Sequence, residues 1–203
     1  MKVGKDGGTR SEEDVARVRA AREAIGPGAA LMVDANGAYS PRQAVEQARR
    51  FAEHGVTYFE EPVTFDHPEQ LAFVRGHAPM AVASGEYGND RYDFRDLLVA
   101  GAVDILQADA TRCLGITGCL AAADLAHAFG VPFSTHTVAS IHAPVACAVP
   151  QIEHIEYFHD HARIEHTLFD GAPEPRHGLL HPDPARPGLG LEFKRRVAER
   201  YAI

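Results

Sequence analysis

An apolar run ends abruptly in two carboxylates and a proline in the segment Val56-Thr57-Tyr58-Phe59-Glu60-Glu61-Pro62. A short stretch of β-branched and aromatic residues predicts a buried β-strand. Glutamate is among the residues least often buried unless it is paired or binds a metal. Taken alone, Glu60 is therefore either a candidate ligand or an ordinary solvated carboxylate at a strand end.

The same pattern recurs along the chain. Apolar runs end in an ionisable residue at six positions: Asp34, Glu60, Glu86, Asp109, His136 and Glu156. Helical patterns lie between these positions, so their spacing of roughly 20 to 27 residues predicts successive β/α units and a parallel sheet.

Helix signals separate the predicted strands. Ser11-Glu12-Glu13-Asp14 begins a helix that reaches Gly26, and Ser40-Pro41 supplies the N-cap and first residue of a second helix that Gly55 closes. We expect further helices over residues 68–76, 94–100, 116–129 and 140–148.

Two α/β architectures contain such units. In a TIM-type (β/α) barrel, catalytic residues come from the carboxyl ends of several strands, whereas an open doubly wound sheet binds its ligand at the switch point. Six consecutive strands that end in ionisable residues favour the barrel. No glycine-rich nucleotide fingerprint follows any predicted strand, which also argues against the open sheet.

Composition narrows the class of protein. The 203 residues are 45% hydrophobic and 24% charged, which is typical of one globular core, and the net charge of −8 offers no basic footprint for nucleic acid. Three cysteines without metal-like spacing indicate reduced thiols. The sequence shows no signal peptide and no long apolar run, so we expect a cytoplasmic protein without a membrane or nucleic-acid partner.

Three of the strand-end residues form a candidate metal site. Asp34, Glu60 and Glu86 offer the oxygen ligands that a hard divalent cation prefers, and Mg²⁺ takes about six oxygens, commonly including water or substrate. Without a cation, converging carboxylates would repel one another. Zn²⁺ fits less well because neither His nor Cys stands among the three. We therefore predict Mg²⁺, with Mn²⁺ as an alternative.

Asp109 and His136 form a second candidate group. A carboxylate beside an imidazole can fix its tautomer and raise its basicity, as in general acid–base pairs. A lone histidine among the 12 in this chain would more often be structural. Its place in the strand-end series favours a catalytic role for His136.

These residues resemble the barrel domain of the mandelate racemase subgroup of the enolase superfamily over residues 1–158. The motifs that carry the resemblance are Met32-Val33-Asp34-Ala35-Asn36, Phe59-Glu60-Glu61-Pro62, Ser84-Gly85-Glu86, Leu106-Gln107-Ala108-Asp109, Gly115-Ile116-Thr117-Gly118 and Ser134-Thr135-His136. The muconate-lactonizing subgroup fits less well, because the chain has no lysine on the strand that leads to Asp109.

The resemblance implies roles for single residues. Asp34, Glu60 and Glu86 match the Mg²⁺ ligands, and His136 with Asp109 matches the catalytic dyad. Lys2 matches the second lysine of a Lys-x-Lys motif, which implies a second catalytic base. Glu156 matches a carboxyl group that hydrogen-bonds the intermediate, and Asn36 is a candidate substrate-binding residue, with a structural turn as the alternative. By strand alternation, Glu61 is expected to face away from Glu60 and to be structural.

The resemblance also predicts what this chain lacks. The family has an amino-terminal capping domain and a first barrel strand, and neither is evident here, so we expect an incomplete barrel over residues 1–158 with a gap beside Lys2. Residues 159–203 are expected to form a carboxyl-terminal extension that packs on the barrel. Its composition predicts an irregular, ordered or partly ordered tail over 159–190 and a last helix near 191–201.

The implied chemistry is Mg²⁺-dependent removal of the α-proton of a small carboxylate substrate, through an enediolate. Sites of the enolase superfamily pair a Lys or His base with Mg²⁺ in this way. Dehydration of a sugar acid is the favoured outcome. A racemase or epimerase of a 2-hydroxy acid, an inactive truncated chain and assembly as a homo-oligomer stay open as further expectations.

Overall fold

The computed structural model describes residues 1–202, in which six parallel strands form one curled sheet whose spatial order follows the chain. The strands are β1 Leu31–Asp34, β2 Val56–Glu60, β3 Ala81–Ser84, β4 Ile105–Ala108, β5 Phe133–Thr135 and β6 Ile152–Ile155. Two short strands, β7 Phe169–Asp170 and β8 Glu192–Phe193, pair antiparallel in the carboxyl-terminal part.

Helices alternate with the strands. They are α1 Ser11–Ile25, α2 Pro41–Ala52, α3 Pro68–Arg75, α4 Arg91–Val99, α5 Gly115–Ala128, α6 Ala139–Ala146, α7 His159–Leu168 and α8 Arg195–Ala198, with a 3₁₀ turn at Glu199–Tyr201. None of the helices within residues 1–202 has the length and apolar character needed to cross a membrane. The predicted succession of β/α units is confirmed, with helix ends shifted by at most a few residues.

One expectation about the carboxyl-terminal part is wrong. The composition predicts an irregular tail over residues 159–190, but His159–Leu168 forms helix α7. Ala162 is buried in this helix, and its amide donates to the carbonyl of Phe158 at 2.8 Å. The ten residues of this helix are mostly polar and include three histidines, so composition alone does not indicate a helix here.

Local chemistry explains where the barrel helices begin. At the start of α2, Pro41 occupies the first helical position, and the backbone N–H of Ser40 donates to the side-chain oxygen of Gln43 at 3.2 Å. At the start of α4, Asp90 accepts a hydrogen bond from the backbone N–H of Tyr92 at 2.7 Å. These caps fix the first residues of α2 and α4.

The two faces of the sheet pack differently. On the helix side, Phe59 is fully buried and meets the ring of Phe51 from α2 edge-on at 5.7 Å. On the inner side, a small apolar cluster consists of Tyr58, Ala83 and Ile105. Adjacent residues of β2 therefore point to opposite faces, and the alternation that buries Phe59 against helices directs Glu60 to the inside.

The ring of strands is open between the amino-terminal segment and β6. On one side, Lys2 forms an isolated parallel bridge with Asp34, supported by a 2.8 Å bond from the Val3 amide to the Asp34 carbonyl. On the other side, no strand within residues 1–202 pairs with the outer edge of β6. The predicted incomplete barrel is confirmed.

A buried carboxylate anchors the amino-terminal segment. Asp14 in the first turn of α1 is fully buried and accepts hydrogen bonds from the amides of Gly4 at 3.0 Å and Lys5 at 3.1 Å, and from the Tyr39 hydroxyl at 2.8 Å. The Tyr39 hydroxyl also accepts from the Gly4 amide at 3.0 Å. This network fixes the backbone two residues beyond Lys2.

The carboxyl-terminal residues touch the barrel at a few points. Ser140 of α6 donates a short hydrogen bond to Glu165 of α7, and Tyr157 lies within hydrogen-bond distance of His166. Lys194 donates to the carbonyl of His166 at 2.8 Å, which ties the last helical segment to α7. The division of the chain into units at residue 158 stays a prediction.

Candidate active site

Three carboxylates converge at the carboxyl edge of the sheet. One oxygen from each of Asp34, Glu60 and Glu86 lies within 4.8 Å of the others, and the three residues are 7%, 3% and 2% exposed. The register of the sheet produces this arrangement, since Asp34 pairs with Glu60 across β1 and β2 and Glu86 lies just beyond the end of β3. The strand ends thus bring together residues far apart in sequence.

The electrostatics of this cluster suit a cation. Burial, followed by the charges of Glu156, Asp34 and Glu86, raises the pKa of Glu60 from 4.5 to about 10. Within residues 1–202, Glu60 Oε1 and Glu86 Oε2 are buried and accept no hydrogen bond. Buried acceptors are nearly always satisfied in native proteins. Two orphaned carboxylate oxygens beside a third carboxylate therefore fit a hard divalent ion.

Lys2 and Asn36 lie at the Asp34 end of the cluster. The Lys2 ammonium contacts Asp34 Oδ2 and donates to Asn36 Oδ1 at 2.7 Å. Burial opposes the charged form of Lys2, but the contact with Asp34 and the surrounding carboxylates outweigh it and raise the Lys2 pKa. The backbone N–H of Asn36 donates to Asp34 Oδ1 at 2.8 Å. This bond closes a turn in which Asn36 has a φ of 44°.

His136 and Asp109 lie at the Glu86 end. His136 Nδ1 is 2.8 Å from Asp109 Oδ2, and His136 Nε2 is 3.3 Å from Glu86 Oε2. Burial works against the Asp109 charge, but hydrogen bonds from His136 and Thr111 prevail and lower the Asp109 pKa to about 2. Asp109 is therefore ionised and accepts the Nδ1 proton, which directs Nε2 toward the carboxylate cluster.

Glu156 follows β6 on the inner side of the open ring. The backbone N–H of Thr137 donates to Glu156 Oε2 at 3.2 Å. Burial raises the Glu156 pKa against the opposing charge of His136. Together with Lys2, Asp34 and Glu60, Glu156 lines a cavity of about 510 Å³ next to the gap in the sheet.

Two further ionisable residues, Glu61 and Arg112, lie close to this site. Glu61 is 1% exposed, and burial together with the charges of Glu86 and Asp34 raises its pKa to about 8. Strand alternation predicts that Glu61 faces away from Glu60, and Glu61 Oε1 accepts a hydrogen bond at 3.4 Å from the hydroxyl of Ser84, the residue after Ala83, which pairs with Glu60. Arg112 donates to Glu86 and gives no signal beyond its place three residues after Asp109.

The candidate site residues thus lie in one connected region. The three carboxylates are central, Lys2 and Asn36 flank Asp34, and the His136–Asp109 pair flanks Glu86. A family model described as enolase C-terminal domain-like matches residues 1–197.

The chain belongs to the enolase C-terminal domain-like family. The resemblance to the mandelate racemase subgroup of the enolase superfamily is confirmed by the solved structures that this chain matches. One of them, a mandelate racemase/muconate lactonizing enzyme-like protein from Rubrobacter xylanophilus, superimposes with a TM-score of 0.94 at 50% identity, covering 100% of this chain and 56% of that one.

Two relatives have more specific names. D-galactarolactone cycloisomerase of Agrobacterium fabrum is 36% identical over 197 residues, which are 91% of this chain and 52% of the relative. L-talarate dehydratase from Polaromonas sp. JS666, solved with Mg and L-glucarate, superimposes with a TM-score of 0.87 at 32% identity over 98% of this chain and 53% of that one. This family member therefore spans about half the length of these relatives.

Proposed function

We propose that this enolase-family chain binds Mg²⁺ through Asp34, Glu60 and Glu86 and removes the α-proton of a small carboxylate substrate. The observation that carries the proposal is the buried carboxylate cluster with two orphaned oxygens, set directly beside a histidine–aspartate pair. Mn²⁺, which accepts similar oxygen ligands, can replace Mg²⁺. Bound at these carboxylates, the cation supplies Lewis-acid stabilisation of the negative charge that develops on the substrate.

His136 is the proposed acid–base residue on one side of the substrate. The 2.8 Å contact with Asp109 fixes the tautomer, so Nε2 is the atom that exchanges a proton with substrate. General acid–base groups of this kind contribute roughly 10²–10⁴-fold to rate. In a dehydration, the imidazolium would protonate the departing β-hydroxyl.

Lys2 is the proposed base on the opposite side. It contacts Asp34, whereas His136 contacts Glu86, so the two groups flank the carboxylate cluster from its two ends. Its ammonium must leave Asp34 and lose a proton before the amine can accept one from the α-carbon. Asn36, which contacts Lys2, is proposed to guide the amine and to reach the substrate.

Glu156 is proposed to stabilise the enediolate by a hydrogen bond. Its raised pKa, caused mainly by burial, favours the protonated carboxyl group. A neutral acid can donate to a developing oxyanion, whereas a carboxylate would repel it.

Dehydration of a sugar acid is the favoured overall reaction because several relatives are named as sugar-acid dehydratases. Racemisation or epimerisation of a 2-hydroxy acid is the second candidate. It is favoured by the positions of Lys2 and His136 at opposite ends of the cluster, since a two-base reaction needs proton transfer on both faces. A homo-oligomer and a cytoplasmic site of action remain predictions.

The test is incubation of the protein with Mg²⁺ and a panel of aldonic and aldaric acids in deuterium oxide. Formation of a 2-keto-3-deoxy acid supports dehydration, whereas deuterium at the α-carbon without such a product supports racemisation. Glu60→Gln removes a proposed cation ligand and should be inactive. Glu69→Gln makes the same chemical change at an exposed position on α3 and should be as active as wild type. If wild type and Glu60→Gln are equally inactive on every acid, the chain alone is not the proposed enzyme.

A further inference from the structure

Arg112 contacts two carboxylates, Glu86 of the carboxylate cluster and Asp109 of the acid–base pair. Its Nη1 donates to the Glu86 side chain at 3.3 Å and to the Glu86 carbonyl at 3.1 Å, and its Nε lies 3.7 Å from Asp109 Oδ2. Glu86 and Asp109 are the same two carboxylates that contact His136. The four side chains therefore form a closed ring in which Arg112 stands opposite His136.

The position of Arg112 is fixed by its surroundings. Its backbone N–H donates to the Asp109 carbonyl at 2.9 Å, which holds the turn after β4. Its guanidinium lies 4.8 Å from the centre of the Tyr87 ring, a cation–π distance. The Arg112 side chain is 36% exposed, so its positive charge stays partly in contact with solvent.

The two oxygens of Glu86 have different partners, and so do the two oxygens of Asp109. On Glu86, Oε1 accepts from Arg112, whereas Oε2 is the orphaned oxygen beside His136 Nε2. On Asp109, Oδ1 accepts from the amide and hydroxyl of Thr111, both at 2.7 Å, whereas Oδ2 meets His136 and Arg112. One oxygen of Glu86 is thereby held while the other stays free for a ligand.

We propose that Arg112 is a positioning residue that orients Glu86 toward the cation and Asp109 toward His136. The inference rests on the proposed function, because it concerns how the same site is held in order. Residues that hydrogen-bond metal ligands typically change metal affinity or activity by about 10–100-fold when they are replaced.

Positioning and simple charge predict opposite results. If the guanidinium acted only as a nearby positive charge, its removal would tighten cation binding because the repulsion disappears. If it orients Glu86, its removal weakens cation binding although the site becomes more negative. Arg112→Lys keeps the charge and loses the planar fork, so it separates the two effects further.

The experiment measures Mn²⁺ affinity by calorimetry for wild type, Arg112→Gln and Arg112→Lys. Arg95→Gln is the matched control, because Arg95 also lies over a tyrosine, Tyr92, at 5.2 Å and pairs with an aspartate, Asp96, on the surface of α4. We expect both Arg112 variants to bind about tenfold more weakly or worse, and the control to match wild type. Unchanged or tighter binding by Arg112→Gln overturns the proposal.

A second measurement keeps this inference separate from the proposed function. In metal-free protein, the His136 Nδ1 proton should give a downfield NMR resonance, because it is donated to the buried Asp109 carboxylate. We expect Arg112→Gln to shift this resonance upfield or abolish it, and Arg95→Gln to leave it in place. If the wild type binds no Mn²⁺, the proposed function fails, and the resonance alone tests the role of Arg112. A resonance that is unchanged in Arg112→Gln would show that Arg112 does not orient Asp109.

Discussion

His136 Nε2 lies 3.3 Å from Glu86 Oε2, so the proposed acid–base residue directly meets a proposed cation ligand. The contact joins two functions that mutation can separate. The cation is assigned to three carboxylates, and proton transfer is assigned to the imidazole.

We predict that His136→Asn lowers turnover by about 10²-fold or more, whereas its Mn²⁺ affinity stays within severalfold of wild type. The amide cannot exchange a proton, but all three carboxylates remain. Calorimetry with Mn²⁺ and the product assay measure the two quantities on the same preparation. Loss of Mn²⁺ binding in His136→Asn, as severe as in Glu60→Gln, would mean that the imidazole is itself a ligand.

His142 links the two loops that carry the acid–base pair. Its Nε2 accepts from the Ala110 amide at 3.0 Å and its Nδ1 donates to the Thr137 carbonyl at 2.8 Å, and the residue is fully buried. Because Nε2 can accept only when it is unprotonated, the two bonds together require a neutral ring. Burial accordingly lowers the His142 pKa from 6.5.

This geometry predicts a pH dependence of stability. Because the folded-state pKa of His142 is lowered, its stabilising effect is present above pH 6.5 and is lost as pH falls through the lower folded pKa. His142→Gln keeps a donor and an acceptor but does not titrate. We therefore expect its free energy of unfolding to fall less than that of the wild type between about pH 7 and about pH 5, the range in which histidine takes up a proton. Urea denaturation at several pH values measures the free energy of unfolding of both proteins. If this free energy changes equally with pH in wild type and His142→Gln, His142 is not the group responsible.

The Tyr39 hydroxyl connects Asp14 to the segment that bears Lys2. We predict that Tyr39→Phe costs about 1–2 kcal/mol of unfolding free energy, because a buried carboxylate and a backbone amide each lose a partner. Tyr92→Phe, at a tyrosine that is 59% exposed, is the control and should cost almost nothing. A cost for Tyr39→Phe no larger than that of the control would show that the network does not hold the segment.

The open edge of β6 predicts uneven protection from hydrogen exchange. Strand β3 pairs on both sides, whereas β6 pairs only with β5 within residues 1–202. We expect the β6 amides that point away from β5 to exchange fast and those of β3 to exchange slowly. Equal protection that persists on dilution would contradict an open edge, and protection that disappears on dilution would indicate that copies associate there.

The sequence is informative where regular strands determine position. Asp34, Glu60 and Glu86 each end an apolar run, and parallel strands necessarily bring such ends to one edge. Their convergence follows from periodicity alone. Glu156 also ends an apolar run, but its role is assigned by resemblance to a family, and Lys2 carries no comparable signal of its own.

The sequence is less informative where loops determine position. Arg112 meets Glu86 across 26 residues of chain through a turn whose path no periodicity encodes. Glu61 leaves the strand at a positive φ, which alternation does not foresee. Helix α7 escapes prediction because it buries little apolar surface, and its contact with the barrel through Ser140 and Glu165 is polar.

Calorimetry of metal-free protein with Mn²⁺ and Mg²⁺ is the direct test of whether the buried carboxylates of Asp34, Glu60 and Glu86 form a cation site. We predict that the wild type binds one ion per chain and melts at a higher temperature with the ion bound, and that Glu60→Gln loses both effects. Absence of binding by the wild type, or equal binding by Glu60→Gln, would contradict this prediction.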